Sequence, residues 1–343
     1  MFILYLDADL SDAGEWDPGT DYRKIDTGVG GVDAAENGLS SPTAVDTDAD
    51  GYVDRVYAGD LHGNLWAFDL TDADDANWDV AYQESDGTPV PLFKAAAADD
   101  TPQPITAKPS VIRHPFQPRV SANGPNLMVY FGTGQYLTTD DLGDTATQSF
   151  YGVWDSGRIG SGDTPLSRAV LHQQSIMSGQ ALGEDVRTTS GTAVNYEEGQ
   201  FGWYFDLGPD ADSAGERVIS NAVVLNDTVF FNTYIPSIVP CDSGGSSWFM
   251  FVDAASGGTP RAPVISINND TVMDLVDLGS GDSPPSGLLL EGALSSPSLS
   301  LGAGNSGIGA TLIHTQTGIE NLATDLGAAM LGRRLSWREL RQE

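Results

Sequence analysis

Three carboxylates at alternate positions, Asp46, Asp48 and Asp50, run into Gly51, and a fourth follows at Asp54. Asp-x-Asp-x-Asp-Gly-x-x-Asp suits a hard divalent cation. Ca²⁺ takes about six to eight oxygens at about 2.3–2.6 Å, and in a tight loop the odd-numbered positions point inward. Asp46, Asp48 and Asp50 supply carboxylates at positions one, three and five, and Gly51 permits the bend. Tyr52 offers its backbone carbonyl at position seven, and Asp54 stands at position nine. The loop does not finish as an EF-hand, in which a bidentate Glu at position twelve leads into a helix. Tyr57 occupies that place, within the strand-like run "RVYAG". Four carboxylates this close repel one another, so without a cation the loop is expected to be disordered or protonated. With strands on both sides, an ion would tie a strand connection together and could not swing a helix pair open. The competing reading is a solvated acidic turn in an acidic chain.

The other reactive side chains form no comparable set. His62, His114, His172 and His314 lie far apart, without His-x-x-x-His spacing, and read as loop or rim residues rather than zinc ligands. "GTGQY" (132–136) and "GSGDS" (279–283) lack the Lys-Ser/Thr ending of a phosphate loop and read as β-turns. "GGSSW" has no nucleophile-elbow pattern, and no Ser/His/Asp set can be singled out. Cys241 is the single cysteine, so the chain closes no internal disulfide; it reads as a quiet or exposed thiol, or a partner for a cysteine elsewhere in a longer chain. The one basic cluster, "GRRLSWRELR", reads as a docking tail or as a terminal element that seals the domain. No residue is assigned a catalytic role, and the chain is read as a non-enzyme.

Short strands must position the acidic loop. Runs such as "FILYL", "RVYAG", "NLWAFDL", "NLMVYFGTG", "SFYGVWD", "FGWYFDL", "TVFFNTYIP", "SWFMFVD" and "GIGATLIH" are bounded by Gly, Pro, Asp or Asn. Many alternate with period two: Leu65, Ala67 and Asp69 face one way, Trp66, Phe68 and Leu70 the other. Amphipathic helices are not expected before the tail, where "NLATDLGAAM" and "LSWREL" could form short turns of helix. "GLSSPTAV" (38–45), "TAKPSVI" (106–112) and "GALSSPSLSL" (292–301) form a loose repeat, the first two leading into aromatic hairpins. Hairpins at this spacing indicate an all-β chain and a β-propeller with modified blades, rather than an Ig-like sandwich. The segments 71–105, 138–148, 155–200 and 254–287 are expected to be long surface insertions on one rim. About four to five blades are expected where the length could hold seven or eight.

Composition narrows the partners. The net charge of -32, from 48 acids against 16 bases, repels nucleic acid and anionic membrane surfaces. No run of about 18 apolar residues is present to span a bilayer as a helix. The opening "MFILYLDADL" is too short and lacks a basic n-region for a signal sequence, and reads as a buried strand.

The stretch "NGLSSPTAVDTDADGYVDRVYAGDLHGNLWAFDL" closely resembles the signature region of the PilC/PilY-type type IV pilus proteins, in their C-terminal β-propeller. In the family's order follow "YRKIDTG" upstream, then "KPSVI", "VYFGTGQYL", "GWYFDL", "GERVISNAVV", "VFFNTYIP", "CDSGGSSWFMFVDAASGG" and "SWREL". The resemblance makes residues 1–343 the C-terminal part of such a propeller, with a calcium loop at 46–54 and a tail at 320–343 that closes or docks the domain. It places the Ca²⁺ ligands on Asp46, Asp48, Asp50, the Tyr52 carbonyl and Asp54. It implies a protein of the pilus tip and cell surface that supports pilus biogenesis, calcium-dependent control of extension and retraction, adhesion and twitching motility. Minor pilins and the assembly machinery are the implied partners, with a host or abiotic surface as a further one. Members of the family are usually longer, with a variable N-terminal region and a signal peptide. The earlier blades and the route of export through periplasm and outer membrane are therefore expected to lie in an upstream reading frame, unless this is a truncated gene product. An incomplete propeller would leave two raw sheet edges. The family's second cysteine near the Cys241 motif is not found here.

Two other readings of the repeats differ in class. A quinoprotein-type dehydrogenase propeller would match "GDLHGNLWAFDL", but it calls for an adjacent cysteine pair and repeated Trp-docking motifs, which this sequence lacks. An integrin-like binding propeller would carry one Asp-rich loop per blade, and one such loop is found.

Overall fold

The computed structural model describes residues 1–5, 16–30, 36–116, 124–157, 164–237, 244–268, 283–300, 308–314 and 319–325. Among them are strands, turns and short 3-10 segments, and no α-helix. A two-stranded ribbon joins β1 (Phe2–Leu4) and β2 (Tyr22–Lys24). The first large sheet is a meander of β3 (Thr43–Val45), β4 (Arg55–Gly59), β5 (Asn64–Asp69) and β6 (Asp79–Val80), with β7 (Phe93–Lys94) also on β5. The second runs through β8 (Ser110–Arg113), β9 (Leu127–Gly132), β10 (Ser149–Asp155) and β14 (Gly202–Asp206), with β11 (His172–Gln173) at its edge. The third orders β15 (Val223–Leu225), β16 (Thr228–Asn232), β17 (Ser246–Asp253) and β18 (Gly287–Glu291), extended by β13 (Glu184–Thr189) and β12 (Ile176–Ala181). The fourth holds β19 (Ser298–Ser300), β20 (Ile308–His314) and β21 (Ile319–Asp325).

These sheets stack face to face, so alternate residues of one strand enter two different cores. On β5, Leu65 and Ala67 join Tyr57, Val129 and Phe131 between the first and second sheets. Trp66 and Phe68 point the other way, toward Ile25 and the β1–β2 ribbon. On β9, Met128 and Tyr130 turn to the third sheet, where Phe150 stacks on Phe231 at 3.8 Å between ring centroids. Phe230, Phe249 and Phe251 face the fourth sheet with Ile265 and Ile313. An antiparallel sheet usually shows one face to water. Here period-two patterning separates two apolar faces, as the packing of successive propeller blades requires. The architecture is an all-β, partial propeller of open sheets.

The repeat seen in the sequence becomes the first strand of each meander. Its residues are laced sideways: the Thr43 hydroxyl donates to the Pro109 carbonyl, and Ser110 Oγ donates to the Ala222 carbonyl at 2.8 Å. Lys108 N reaches Asn221 Oδ1 at 2.9 Å, and Asn221 N reaches Ser296 Oγ at 3.0 Å. A fourth copy, "SNAVVL" at β15, lies between the second and the last, and its signature is masked because Asn-Ala stands where the others have Ser/Lys-Pro.

Three expectations are corrected. Residues 71–105 are not merely a surface loop: β6 and β7 lie there, and Val90, Leu92, Phe93 and Ala95 enter the core. Residues 155–200 contain the β12–β13 hairpin, in which Ser178, Gln180, Glu184 and Asp185 face solvent while Ile176, Ala181, Val186 and Arg187 are buried. "NLATD" is not helical; it is part of β21, whose outer edge is bridged by Ile265 opposite Thr324. Ser266 N donates to the Ala323 carbonyl at 3.0 Å and Asp325 N to the Val264 carbonyl at 2.7 Å. Of the tail, residues 326–343 lie outside the described residues, as do Cys241 and residues 279–282.

Candidate metal centre

The acidic loop joins β3 to β4. Its base is closed by Asp54 N donating to the Val45 carbonyl at 2.9 Å, while Leu70 N donates to the Asp54 carbonyl at 2.8 Å. Between these points the chain reverses through left-handed conformations at Ala49 (φ 67°) and Gly51 (φ 96°). Only glycine takes the latter without strain, which explains Gly51 at position six. Asp46, Asp48 and Asp50 are exposed, and each offers a carboxylate oxygen within 4.8 Å of the others. Among the described residues this is the one such gathering of His, Cys, Asp or Glu.

Backbone amides face these carboxylates. Ala49 N and Gly51 N donate to the two Asp46 oxygens at 2.6 and 2.9 Å, Asp50 N to Asp48 Oδ1 at 3.1 Å, and Tyr52 N to Asp50 Oδ1 at 2.8 Å. The Gly51 amide, with that of Ala49 behind it, holds the Asp46 carboxyl below its ordinary range. The loop's own amides thus offset part of the negative charge that sets these carboxylates against one another.

Asp54 stands apart from the trio. Its Oδ2 accepts from the Thr47 amide at 2.6 Å and from the Thr47 hydroxyl, leaving Oδ1 as the oxygen it can offer to an ion. Tyr52 is 77% exposed, so its ring is a solvent-facing group and its carbonyl remains the assigned donor. Tyr57, at position twelve, is fully buried and donates to Asp155 Oδ2 at 2.7 Å in the core between the first two sheets. Strand alternation carries that side chain away from the loop, which is why no carboxylate is found there. The donors are hard oxygens on a tight bend, and they fit Ca²⁺ in chemical type.

The remaining sequence candidates are separated. His62 lies in the β4–β5 turn, with its amide on Asp60 Oδ1; His172 opens β11; His314 ends β20. His114 is not a rim residue: it is buried against Tyr196 and Trp154, its Nδ1 accepting from Phe116 N at 3.1 Å. In "GTGQY", Gly134 makes room for a neighbouring chain rather than a phosphate, since a Cβ there would lie 2.4 Å from Cβ of Arg217. Ser247 of "GGSSW" is buried in β17, with its hydroxyl on the Gly292 carbonyl at 2.6 Å.

Two residues around the loop were missed in the sequence. Thr47 stands at an even loop position that the alternation of carboxylates leaves unassigned, and Arg113, which donates to the Thr47 carbonyl, comes from the second sheet. Only the separation of 66 residues being closed in space reveals the pair.

Face-to-face stacking of open antiparallel sheets, with one acidic strand connection, defines a β-propeller carrying a candidate cation loop. The chain belongs to the PilY1 beta-propeller domain family, whose model matches residues 12–189. It is 39% identical over 233 residues to a type IV pilus biogenesis factor PilY1 homolog of Xylella fastidiosa, covering 66% of this chain and 15% of that protein. It is 33% identical over 279 residues to the type IV pilus biogenesis factor PilY1 of Pseudomonas aeruginosa PAO1, covering 74% of this chain and 23% of that one. The chain thus spans less than a quarter of these relatives. The crystal structure of the Pseudomonas aeruginosa PilY1 C-terminal domain superposes with a TM-score of 0.71 at 29% identity, covering 89% of this chain and 64% of that one.

Proposed function

We propose that this chain is the calcium-binding propeller of a non-enzymatic, type IV pilus-associated protein that acts at the pilus tip and cell surface. Support for the pilus role comes from membership in the PilY1 propeller family and from relatives that are type IV pilus biogenesis factors. The observation that carries the cation is the convergence of Asp46, Asp48 and Asp50 on one exposed point. Asp54 Oδ1 and the Tyr52 carbonyl would complete the set. Bound there, Ca²⁺ supplies charge neutralisation and a rigid link across the connection. The chain's own part is to present preset oxygens, with Thr47 fixing Asp54 and the loop amides fixing Asp46.

In this reading the stiffened first sheet contributes to the surface that meets minor pilins or the assembly machinery. Calcium-dependent balance of extension and retraction, adhesion and twitching motility follow from that contact. Export to the surface, through periplasm and outer membrane, would require a signal peptide carried by a longer form of the protein.

Titration calorimetry with CaCl₂ tests the site. The wild-type chain is expected to give a saturable heat that Asp54→Ala weakens and Asp46→Asn/Asp50→Asn abolishes. Equal heats in all three remove the assigned ligands. The pilus role is tested by restoring the intact gene, with or without the double substitution, to a strain lacking it, and counting surface pili. Full pilus numbers in the strain without the gene would refute that role.

A further inference from the structure

We infer that Arg113 is a positioning residue for the acidic loop, and that through Thr47 it makes cation binding a control on the seam between the first two sheets. This rests on the cation reading above.

Thr47 sits between Asp46 and Asp48, and each of its polar groups has a different task. Its amide and hydroxyl hold Asp54 Oδ2, and its carbonyl accepts from Arg113 Nη2. Arg113 is the last residue of β8, paired with Leu127 of β9. A neighbouring contact gives the link direction. The Thr43 hydroxyl, on the first residue of β3, donates to the carbonyl of Pro109, just before β8. The first strands of the two meanders are therefore stitched at both ends, by Thr43 to Pro109 and by Thr47 to Arg113. The first stitch joins the first residue of β3 to the residue that leads into β8. The second depends on the position of a loop residue flanked by two candidate ligands.

A cation that draws Asp46 and Asp48 inward fixes the peptide between them. The Thr47 carbonyl is then held where the guanidinium reaches it, and the end of β8 is restrained in turn. Arg113 reaches the loop through a backbone oxygen, so its hydrogen bond does not take a carboxylate oxygen from the ion. A guanidinium reaches this carbonyl while its charge stays solvated, since Arg113 itself is exposed. An exposed hydrogen bond of this kind contributes little alone, which suits a contact meant to change strength with occupancy.

Amide hydrogen exchange on the 343-residue chain, with and without CaCl₂, tests the coupling. In the wild type, Ca²⁺ is expected to slow exchange in the loop (47–52) and also at Val111, Ile112 and Arg113, the latter by about threefold or more. In Arg113→Met the loop should still slow, but the response at β8 should vanish; Arg113→Lys should restore part of it. A β8 response that survives in Arg113→Met overturns the inference, as does a wild type whose loop responds and whose β8 does not. Loss of response at both places in the wild type refutes the cation site itself, a distinct result that removes the inference with it.

Discussion

The hydroxyl of Tyr57 donates to Asp155 Oδ2 at 2.7 Å, joining residues 98 positions apart across the packed faces of the first two sheets. Tyr82 donates to the other carboxylate oxygen, and Gly157 N adds a third bond at 3.0 Å. Burial, and then the Asp155 charge, push both phenols well above their ordinary pKa, which keeps them as donors at neutral pH. Tyr57→Phe leaves a buried carboxylate short of a partner. It is expected to cost about 1–3 kcal/mol in urea unfolding while leaving calcium heats unchanged.

Removing the metal gives the second prediction. A ligand at a hundred times its dissociation constant stabilises the folded chain by about 2.7 kcal/mol. Calcium is therefore expected to raise the melting temperature of the wild type, EDTA to reverse the rise, and Asp48→Asn to abolish most of it. The variant without calcium should melt no lower than the wild type without calcium, because it removes one of the mutually repelling charges.

His114 predicts an acid-side loss. Burial pushes its pKa down to about 4, from an unfolded value of about 6.5. Between these limits the unfolded chain takes up a proton that the folded chain refuses. Stability is thus complete above about pH 6.5 and falls as the pH drops toward 4. Denaturant midpoints at pH 7, 5.5 and 4.5 should decline more steeply in the wild type than in His114→Phe.

The Arg187–Glu216 pair predicts an asymmetry. The two are fully buried, joined by bonds of 2.6 and 2.9 Å, with Arg187 lying 4.0 Å over the Trp248 ring and Gly208 N on Glu216 Oε2. Arg187→Met strands a buried carboxylate and is expected to cost about 3–5 kcal/mol. Arg187→Met combined with Glu216→Leu should recover much of that loss in chemical denaturation.

The residues that resist misreading in sequence are those whose role is set by near neighbours. Spacing alone identified Asp46, Asp48 and Asp50 as a cluster, and period two correctly divided Leu65 and Ala67 from Trp66 and Phe68. "SFYGVWD" is β10 to the residue. The β12–β13 hairpin escaped because its outward residues, such as Ser178 and Gln180, dilute the apolar signal of Ile176 and Val186. The buried place of His114 depends on Tyr196 and Trp154, which arrive from other strands. The carboxylates and the amides that face them are close in sequence, whereas the contact from Arg113 and the burial of His114 are tertiary.

The bridge from Val264–Ser266 to β21 binds together two sheets that leave the ribosome at different times. The earlier segment emerges long before the strand it must pair with, so it has to wait unpaired while the final meander is translated. The third and fourth sheets therefore mature as one unit, and a stop codon ahead of Ile319 would fray a stretch of chain more than fifty residues upstream of the lesion.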